Sequence, residues 1–480
     1  MGEAIDPGVM LEGVVTEKDK ETYLEIHFEV PVGVQRLTVA FDYERAHRTV
    51  LDLGLLDPER FRGWSGGERR VFTLSAEEAT PSYLPGPILA GQWRLLIGVP
   101  NIRNGVASRW KAEVVFGRAG ARPGASTFSE RPLARGRAWR RGDLHMHTAH
   151  SDGSCCAQSG ARAPAPLYRT VEAAAARGLD FIAITDHNTT SHFPAMRELQ
   201  PAFDRLLLIP GREITTFFGH ANVLGPTGFI DFRLGSSSLP SAAELMETAE
   251  ALGGLFAIAH PLLPSGEKCM GCGWTAKRTD EARLRLIEVV NGGATRAMDG
   301  NAEGPYCGIP FWHERLDLGR RIVGIGGSDN HDPSLRPDVP SAVGTPTTLV
   351  ECEELSERAV LDALLAGRAV IDLQGVAGRS LDLTVRSKAG EAAMGGTIGL
   401  AAGEVVEFEV AAACVEGAQV EAVGDHEGLE GLGRLELDSY GRGRFSLRAA
   451  ARPAWVRVNL RDGEGRLLVI GNPIWLSPTS

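Results

Sequence analysis

The sequence predicts a chain of about three domains, with a central region of alternating strands and helices flanked on each side by an all-β sandwich. Three observations carry this expectation. At 480 residues the chain exceeds what one ordinary core organises. Two outer regions show alternating apolar and polar residues broken by glycine-rich turns, the pattern of half-buried strands. The middle region instead shows short, continuously apolar runs separated by helical patterns, which argues for parallel βα units with strands buried on both faces.

The first region spans residues 1–135. Residues 23–30 alternate strictly, residues 35–41 less so, and residues 93–99 form a further strand-like run. Residues 117–141, rich in Arg, Gly and Ala, read as a linker. The central region spans 142–375. Its expected strands are residues 181–185, 206–209, 255–259, 286–290 and 322–325. Helical patterns cover 167–177, 242–251, a short piece at 281–286, and 355–366. The last region, 377–480, returns to strands at 381–385, 405–410 and 456–460, and a second sandwich is expected.

Composition narrows the function. Fifty Lys+Arg stand against 61 Asp+Glu, and no dense basic block appears, so duplex nucleic acid is a poor partner. A small-molecule substrate fits better, and no membrane association is expected, because no run of about 18 apolar residues exists. Residues 1–7 lack the basic and apolar segments of a secretory signal. Seven cysteines is an odd number, unlike a disulfide framework, so free thiols and cytoplasmic residence are the expectation. Cys269-Met-Gly-Cys272 alone is insufficient for a structural zinc site.

The chemistry lies in nine donors placed just past the apolar runs: His145, His147, Asp152, His187, Glu213, His220, His260, Asp329 and His331. Residues i and i+2 on a strand point the same way, so His145 and His147 can address one ion, and Asp329 and His331 repeat the spacing. A barrel gathers the carboxyl ends of its strands on one rim, where donors scattered along the chain converge. Imidazole and carboxylate together suit Zn, Mn or Fe. A lone histidine at a strand end is usually a structural residue; nine donors sharing one placement are not nine accidents.

Asp-Leu-His-Met-His-Thr (143–148), Ile-Thr-Asp-His-Asn (184–188), Pro-Gly-Arg-Glu-Ile (210–214), Gly-His-Ala-Asn (219–222), Ala-His-Pro (259–261) and Gly-Ser-Asp-Asn-His (327–331) resemble the polymerase-and-histidinol-phosphatase (PHP) domain. The resemblance covers about residues 142–370. It implies a distorted (β/α)7 barrel holding two or three divalent metals. The flanking β regions and the ending Gly471-Asn-Pro-Ile-Trp-Leu476 are similar to the subgroup that contains carbaryl hydrolase. By this resemblance His145, His147, Glu213 and Asp329 hold one metal. Glu213 bridges to a second held by His220 and His260, and Asp152, His187 and His331 hold a third. Asp152 stands where some relatives carry histidine.

The expected function is that of a metal-dependent phosphoesterase acting on a small anionic ester through a metal-bridging hydroxide. Three dications against three carboxylates leave a positive pocket. Asp329 or His187 is the expected proton donor to the leaving group, with the balance slightly to Asp329. Arg212 is a candidate phosphate clamp, although strand alternation favours a position outside the barrel. Asn188 and Asn222 are candidate substrate or positioning residues. Two rivals remain at this point: a carbamate, ester or amide hydrolase on the same metals, and a non-catalytic metal-containing binding protein.

Overall fold

The computed structural model describes residues 6–67, 69–118, 129, 131–266, 269, 271–430 and 432–479. Two compact units separate: residues 1–124 with Phe193–Glu198, and residues 125–192 with 199–480. The first unit contains two four-stranded antiparallel sheets. One orders Asp6–Thr16, Ala107–Arg118, Val34–Tyr43 and Val71–Ser75; the other orders Tyr23–Val30, Gly91–Asn101, Val50–Leu56 and Phe61–Gly66. Alternation turns Leu37, Val39, Leu95, Ile97 and Trp93 into one apolar core.

In the second unit a single sheet runs through Val323–Gly327, Leu286–Asn291, Leu255–Ile258, Gly219–Leu224, Leu207–Thr216, Phe181–Ile184 and Arg135–Asp143. It continues through Thr347–Glu354 and Ala369–Asp372 into Leu467–Gly471 and Ala454–Arg461. Hydrogen bonding is therefore unbroken across the expected boundary near residue 377: Val370 pairs with Gly471. A separate four-stranded sheet, Gly390–Ala393, Ser380–Ser387, Val405–Ala413 and Arg442–Arg448, packs its apolar face on the terminal strands through Leu383, Phe408, Val458 and Val469.

The pairing is mixed rather than all parallel. Phe181–Ile184 runs parallel to both Arg135–Asp143 and Leu207–Thr216, and Leu286–Asn291 runs parallel to both of its neighbours. Gly219–Leu224 is antiparallel on both sides. The reason is local: Phe217 and Phe218 alone separate it from the preceding strand, far too few residues for a parallel crossover. Strand pairing traces an open path, not a closed ring. The two ends of the seven-strand set meet through one isolated parallel bridge, Met146 with Asn330, beside which His147 N donates to Asn330 O at 2.8 Å and Asp329 N to His145 O at 2.8 Å.

Helices form at Leu167–Ala176, Ala242–Ala251 and Glu357–Leu365, where the sequence pattern places them. The short helix expected at 281–286 is absent: Asp280 Oδ1 accepts from Ala282 N at 3.0 Å, closing a turn, and Leu286 already belongs to a strand. A helix at Ile309–Asp317, begun by Gly308 and Pro310, takes the covering role instead. The expected linker also divides. Residues 119–128 and 130 lie outside the described residues, whereas Arg135–Asp143 is an interior strand. There Trp139 opposes Glu351 and Arg141 opposes Leu349. Its basic residues read as solvated because their partners, Asp180 and the carbonyl of Gly375, are remote in sequence. Among the described residues no helix is long and apolar enough to cross a membrane.

Candidate metal centre

The predicted donors converge. Eight of them form three groups, each with ligand atoms within 4.8 Å of one another: His145, Glu213 and His260; His145, His147 and Asp329; His147, Asp152, His187 and His331. His220 joins through Glu213, its Nδ1 lying 3.1 Å from Oε1. Glu213 is the hub. Its Oε1 also lies 3.1 Å from His260 Nε2, and its Oε2 lies 3.5 and 3.6 Å from the Nε2 atoms of His145 and His147. Asp152 Oδ1 sits 3.2 Å from His331 Nε2 and 3.5 Å from His187 Nε2.

Each donor is placed by its element. His145 and His147 follow the Arg135–Asp143 strand and flank buried Met146, so alternation sends both imidazoles one way and the Met146 side chain the other. Glu213 lies in Leu207–Thr216, and His220 opposes Thr215 on the returning strand. His260 and Asp329 follow Leu255–Ile258 and Val323–Gly327, and both adopt positive φ, 28° and 51°, as does Asn188 at 52°. Non-glycine residues persist in that region where surrounding contacts hold them, a pattern concentrated at functional sites.

Tautomers follow from the second partner of each ring. His145 Nδ1 donates to Glu288 Oε1 at 2.9 Å, and His260 Nδ1 donates to the carbonyl of Cys272 at 3.3 Å. His331 Nδ1 donates to the carbonyl of Asp329 at 3.0 Å. In all three, Nε2 faces the site and is the atom a metal would take once its proton is displaced. His145 Nε2 and Glu213 Oε2 are fully buried without a hydrogen bond, although Glu213 Oε2 lies 2.8 Å from His187 Nδ1. A buried imidazole nitrogen and a buried carboxylate oxygen 3.5 Å apart need a proton or a metal ion between them, and the mixed imidazole and carboxylate donors around them fit divalent metal ions.

The electrostatics agree. Burial by itself would lower the His145 imidazole, yet Glu288, Asp329 and Glu213 raise it well above the ordinary histidine range. Burial pushes Glu213 and Asp329 upward, and the surrounding imidazoles overcome it and hold both carboxyls well down. His147 moves to about 4, through burial and the neighbouring His331. Exposure grades across the site. The side chains of His145 and Glu213 are sealed, whereas those of His187, His331 and Asp152 are 26%, 38% and 57% exposed. The Asp152 end is the solvent-facing side of the cluster.

Glu288 was not anticipated. Its Oε2 accepts from His260 N and from Asn291 Nδ2, both at 2.9 Å, while Oε1 holds His145. The signal was present in the sequence: one carboxylate inside the apolar run 286–290, where an unpaired charge would be prohibitive. Asp143 is a second such residue, tying Ser328 N and Gly344 N to the start of the histidine segment at 3.0 and 2.7 Å. Of the remaining candidates, Asn188 exchanges two bonds with the Thr215 backbone, each 2.9 Å, and Asn222 is buried opposite Glu213. Arg212 is buried and donates to the carbonyl of Pro226 at 2.7 Å. Cys269 and Cys272 are joined in a disulfide rather than free; Cys269 exchanges backbone bonds with Gly266, and Trp274 N donates to Pro261 O beside His260.

No family model and no curated protein matches this chain. Among solved structures it is similar to a provisionally named metal-dependent phosphoesterase from Bifidobacterium adolescentis, 18% identical, covering 49% of this chain and 97% of that one, with a TM-score of 0.30. It is also similar to PliG from Aeromonas hydrophila, a periplasmic inhibitor of g-type lysozyme, 12% identical over 23% of this chain and 85% of the other, with a TM-score of 0.16. At such TM-scores these likenesses carry no argument about this chain.

Proposed function

We propose that the chain is a metal-dependent hydrolase of PHP type, its seven central strands a distorted barrel, and that it cleaves a phosphate ester of a small substrate. The observation supporting this most directly is the convergence of nine imidazoles and carboxylates in one cluster with Glu213 at its hub. Divalent cations held there supply Lewis acidity toward a substrate oxygen and an activated water at neutral pH. His145, His147, Glu213 and Asp329 hold one; Glu213, His220 and His260 a second; Asp152, His187 and His331 a third.

The chain's own groups do the positioning. Glu288 and Cys272 O fix the His145 and His260 rings. Asn291 Nδ2 holds Asp329 Oδ2 at 3.3 Å, while Asp329 Oδ1 lies 3.1 Å from His147 Nε2. With both oxygens so engaged, Asp329 is poorly placed to release a proton. When only two metals are held and the third site is empty, His187, more open and facing Asp152 at the solvent side, is the better donor to a leaving group.

Two observations favour a second reading, a neutral carbamate or ester as substrate. Glu288 adds a fourth carboxylate, so two dications leave no net positive charge, and attraction for an anion then depends on the third. Phe217, 85% exposed in the turn just beyond Thr216, offers an apolar surface of the kind an aryl group seeks. The discriminating experiment is a screen of p-nitrophenyl phosphate and bis(p-nitrophenyl) phosphate against 1-naphthyl carbamate and acetate, with Mn2+ or Zn2+ added. Phosphate ester turnover, lost in His145→Ala/His147→Ala together with bound metal, is the expected result. Turnover of the neutral esters alone would replace the phosphoesterase reading with the second.

A further inference from the structure

Cys269 and Cys272 form a disulfide spanning three residues, while Cys155, Cys156, Cys307, Cys352 and Cys414 are unpaired. A chain that leaves five cysteines free is not built on disulfides for stability. Closing so short a loop also constrains the unfolded state little. Its effect is therefore local, and its place is informative. Cys272 is fully buried, and its carbonyl accepts from His260 Nδ1 at 3.3 Å, the bond that turns His260 Nε2 toward Glu213. The described residues around it are held by hydrogen bonds: Gly271 N donates to Ser265 Oγ at 2.7 Å, Cys269 and Gly266 exchange backbone bonds at 3.0 and 3.1 Å, and Trp274 N donates to Pro261 O at 2.9 Å. Gly271, at φ 79°, lies against the Thr216–Phe217 backbone, where an added Cβ would meet Phe217 Cα at 3.0 Å. Among the described residues around His260, the sulfur bridge is the one covalent cross-link between side chains.

We infer that the Cys269–Cys272 pair is a reducible switch that sets metal affinity by holding or releasing the carbonyl that orients His260. The inference rests on the metal-hydrolase reading and deepens it. A thiolate of a dithiol reductant attacks Cys269 Sγ, the half-buried sulfur, and forms a mixed disulfide. Cys272 Sγ leaves as a thiolate and takes a proton. The reductant's second thiol then displaces Cys269, which is protonated in turn. Two electrons and two protons enter the protein, and the reductant departs as its own disulfide. With the bridge open, the Cys272 carbonyl is no longer tethered across residues 269–272, and the His260 ring loses its fixed orientation.

The test compares metal-stripped full-length protein, oxidised or reduced with dithiothreitol and then desalted. Thiols are counted by alkylation and intact mass, and Mn2+ affinity is measured by competition titration. Disturbing a partner that orients a ligating histidine typically costs 10–100-fold in metal affinity, so reduction is expected to weaken Mn2+ binding by about tenfold. Re-oxidation should restore it, and Cys269→Ser/Cys272→Ser should stay near the reduced value whatever the reductant. The visible spectrum of the Co2+-loaded protein should change with redox state, which loss of general stability would not produce. Equal Mn2+ affinity in both forms, or no disulfide in the oxidised protein, overturns the switch and leaves the metal reading standing. Absence of bound metal in both forms overturns the reading beneath it.

Discussion

Glu288 shows how much of the centre is held by a group that need not touch a metal. It fixes the His145 ring and the His260 backbone at once. Glu288→Gln should leave the fold intact by circular dichroism and weaken metal binding 10–100-fold, since an amide orients the imidazole with less charge. Unchanged affinity would show that packing alone sets the His145 ring. The same scale gives a pH dependence. In the metal-free protein burial lowers His187 and His331, but Glu213 and Asp152 outweigh it for the first and Asp152 and Asp329 for the second, bringing them to about 10 and about 9. Folded values raised above the ordinary ~6.5 contribute stability that is complete below that pH and lost as pH rises through 9 and 10. A metal must displace those protons, so binding should release protons and tighten as pH increases. Titration calorimetry in two buffers of different ionisation enthalpy measures the release; none at pH 7 would contradict this protonation state.

Elements bring these residues to one place, and backbone closeness makes that possible. Gly292 opens a short helix directly after Asn291, whose Oδ1 caps it by accepting from Ala294 N at 2.8 Å. A Cβ on Gly292 would collide with the carbonyls of Ser328 and Thr345 and with Ser341 N, all main-chain atoms that cannot swing aside. Gly292→Ala should therefore destabilise by about 1–3 kcal/mol and displace Asp329, seen as a lower denaturation midpoint and reduced metal content together. A purely thermal effect with full metal occupancy would separate the helix from the site. The local pattern made most elements legible: residues 23–30 and 242–251 need no distant information. The turn at 281–283 was misread because so short a helical pattern cannot repay nucleation. The antiparallel return of Gly219–Leu224 was missed because an apolar run reads the same in either direction.

At the scale of the whole second unit, the sheet joins the central strands to the C-terminal ones, and a polar junction locks helix Ile309–Asp317 to strand Ala454–Arg461. Arg457, buried over the Trp312 ring, donates to His313 Nε2 at 2.9 and 3.2 Å and to Asn459 Oδ1 at 2.5 Å. Burial and the Arg457 cation push His313 down to about 3. A histidine depressed on folding contributes stability present above ~6.5 and lost as pH falls toward 3, because the unfolded chain binds that proton first. The melting temperature should fall between pH 6.5 and 4, and His313→Gln, which keeps an acceptor without a titrating ring, should fall less steeply. Parallel curves would remove His313 from the acid response.

Sequence alone marked the candidate donors and their order, and the i, i+2 spacing of His145 and His147, which one ligand group shares; Asp329, at φ 51°, and His331 fall in different groups because their backbone has left the strand. It could equally have revealed Glu288, a lone charge in an apolar strand. Tertiary structure alone decided that His147 is shared between two ligand groups, that Asp152 stands at the open, solvent-facing side, and that Arg212 spends a hydrogen bond on Pro226. It alone also decided that Cys272 supplies the carbonyl behind His260. Each of these depends on segments far apart in the chain meeting at hydrogen-bond distance, a consequence of how the strands stack and twist, which residue order constrains only through the completed fold.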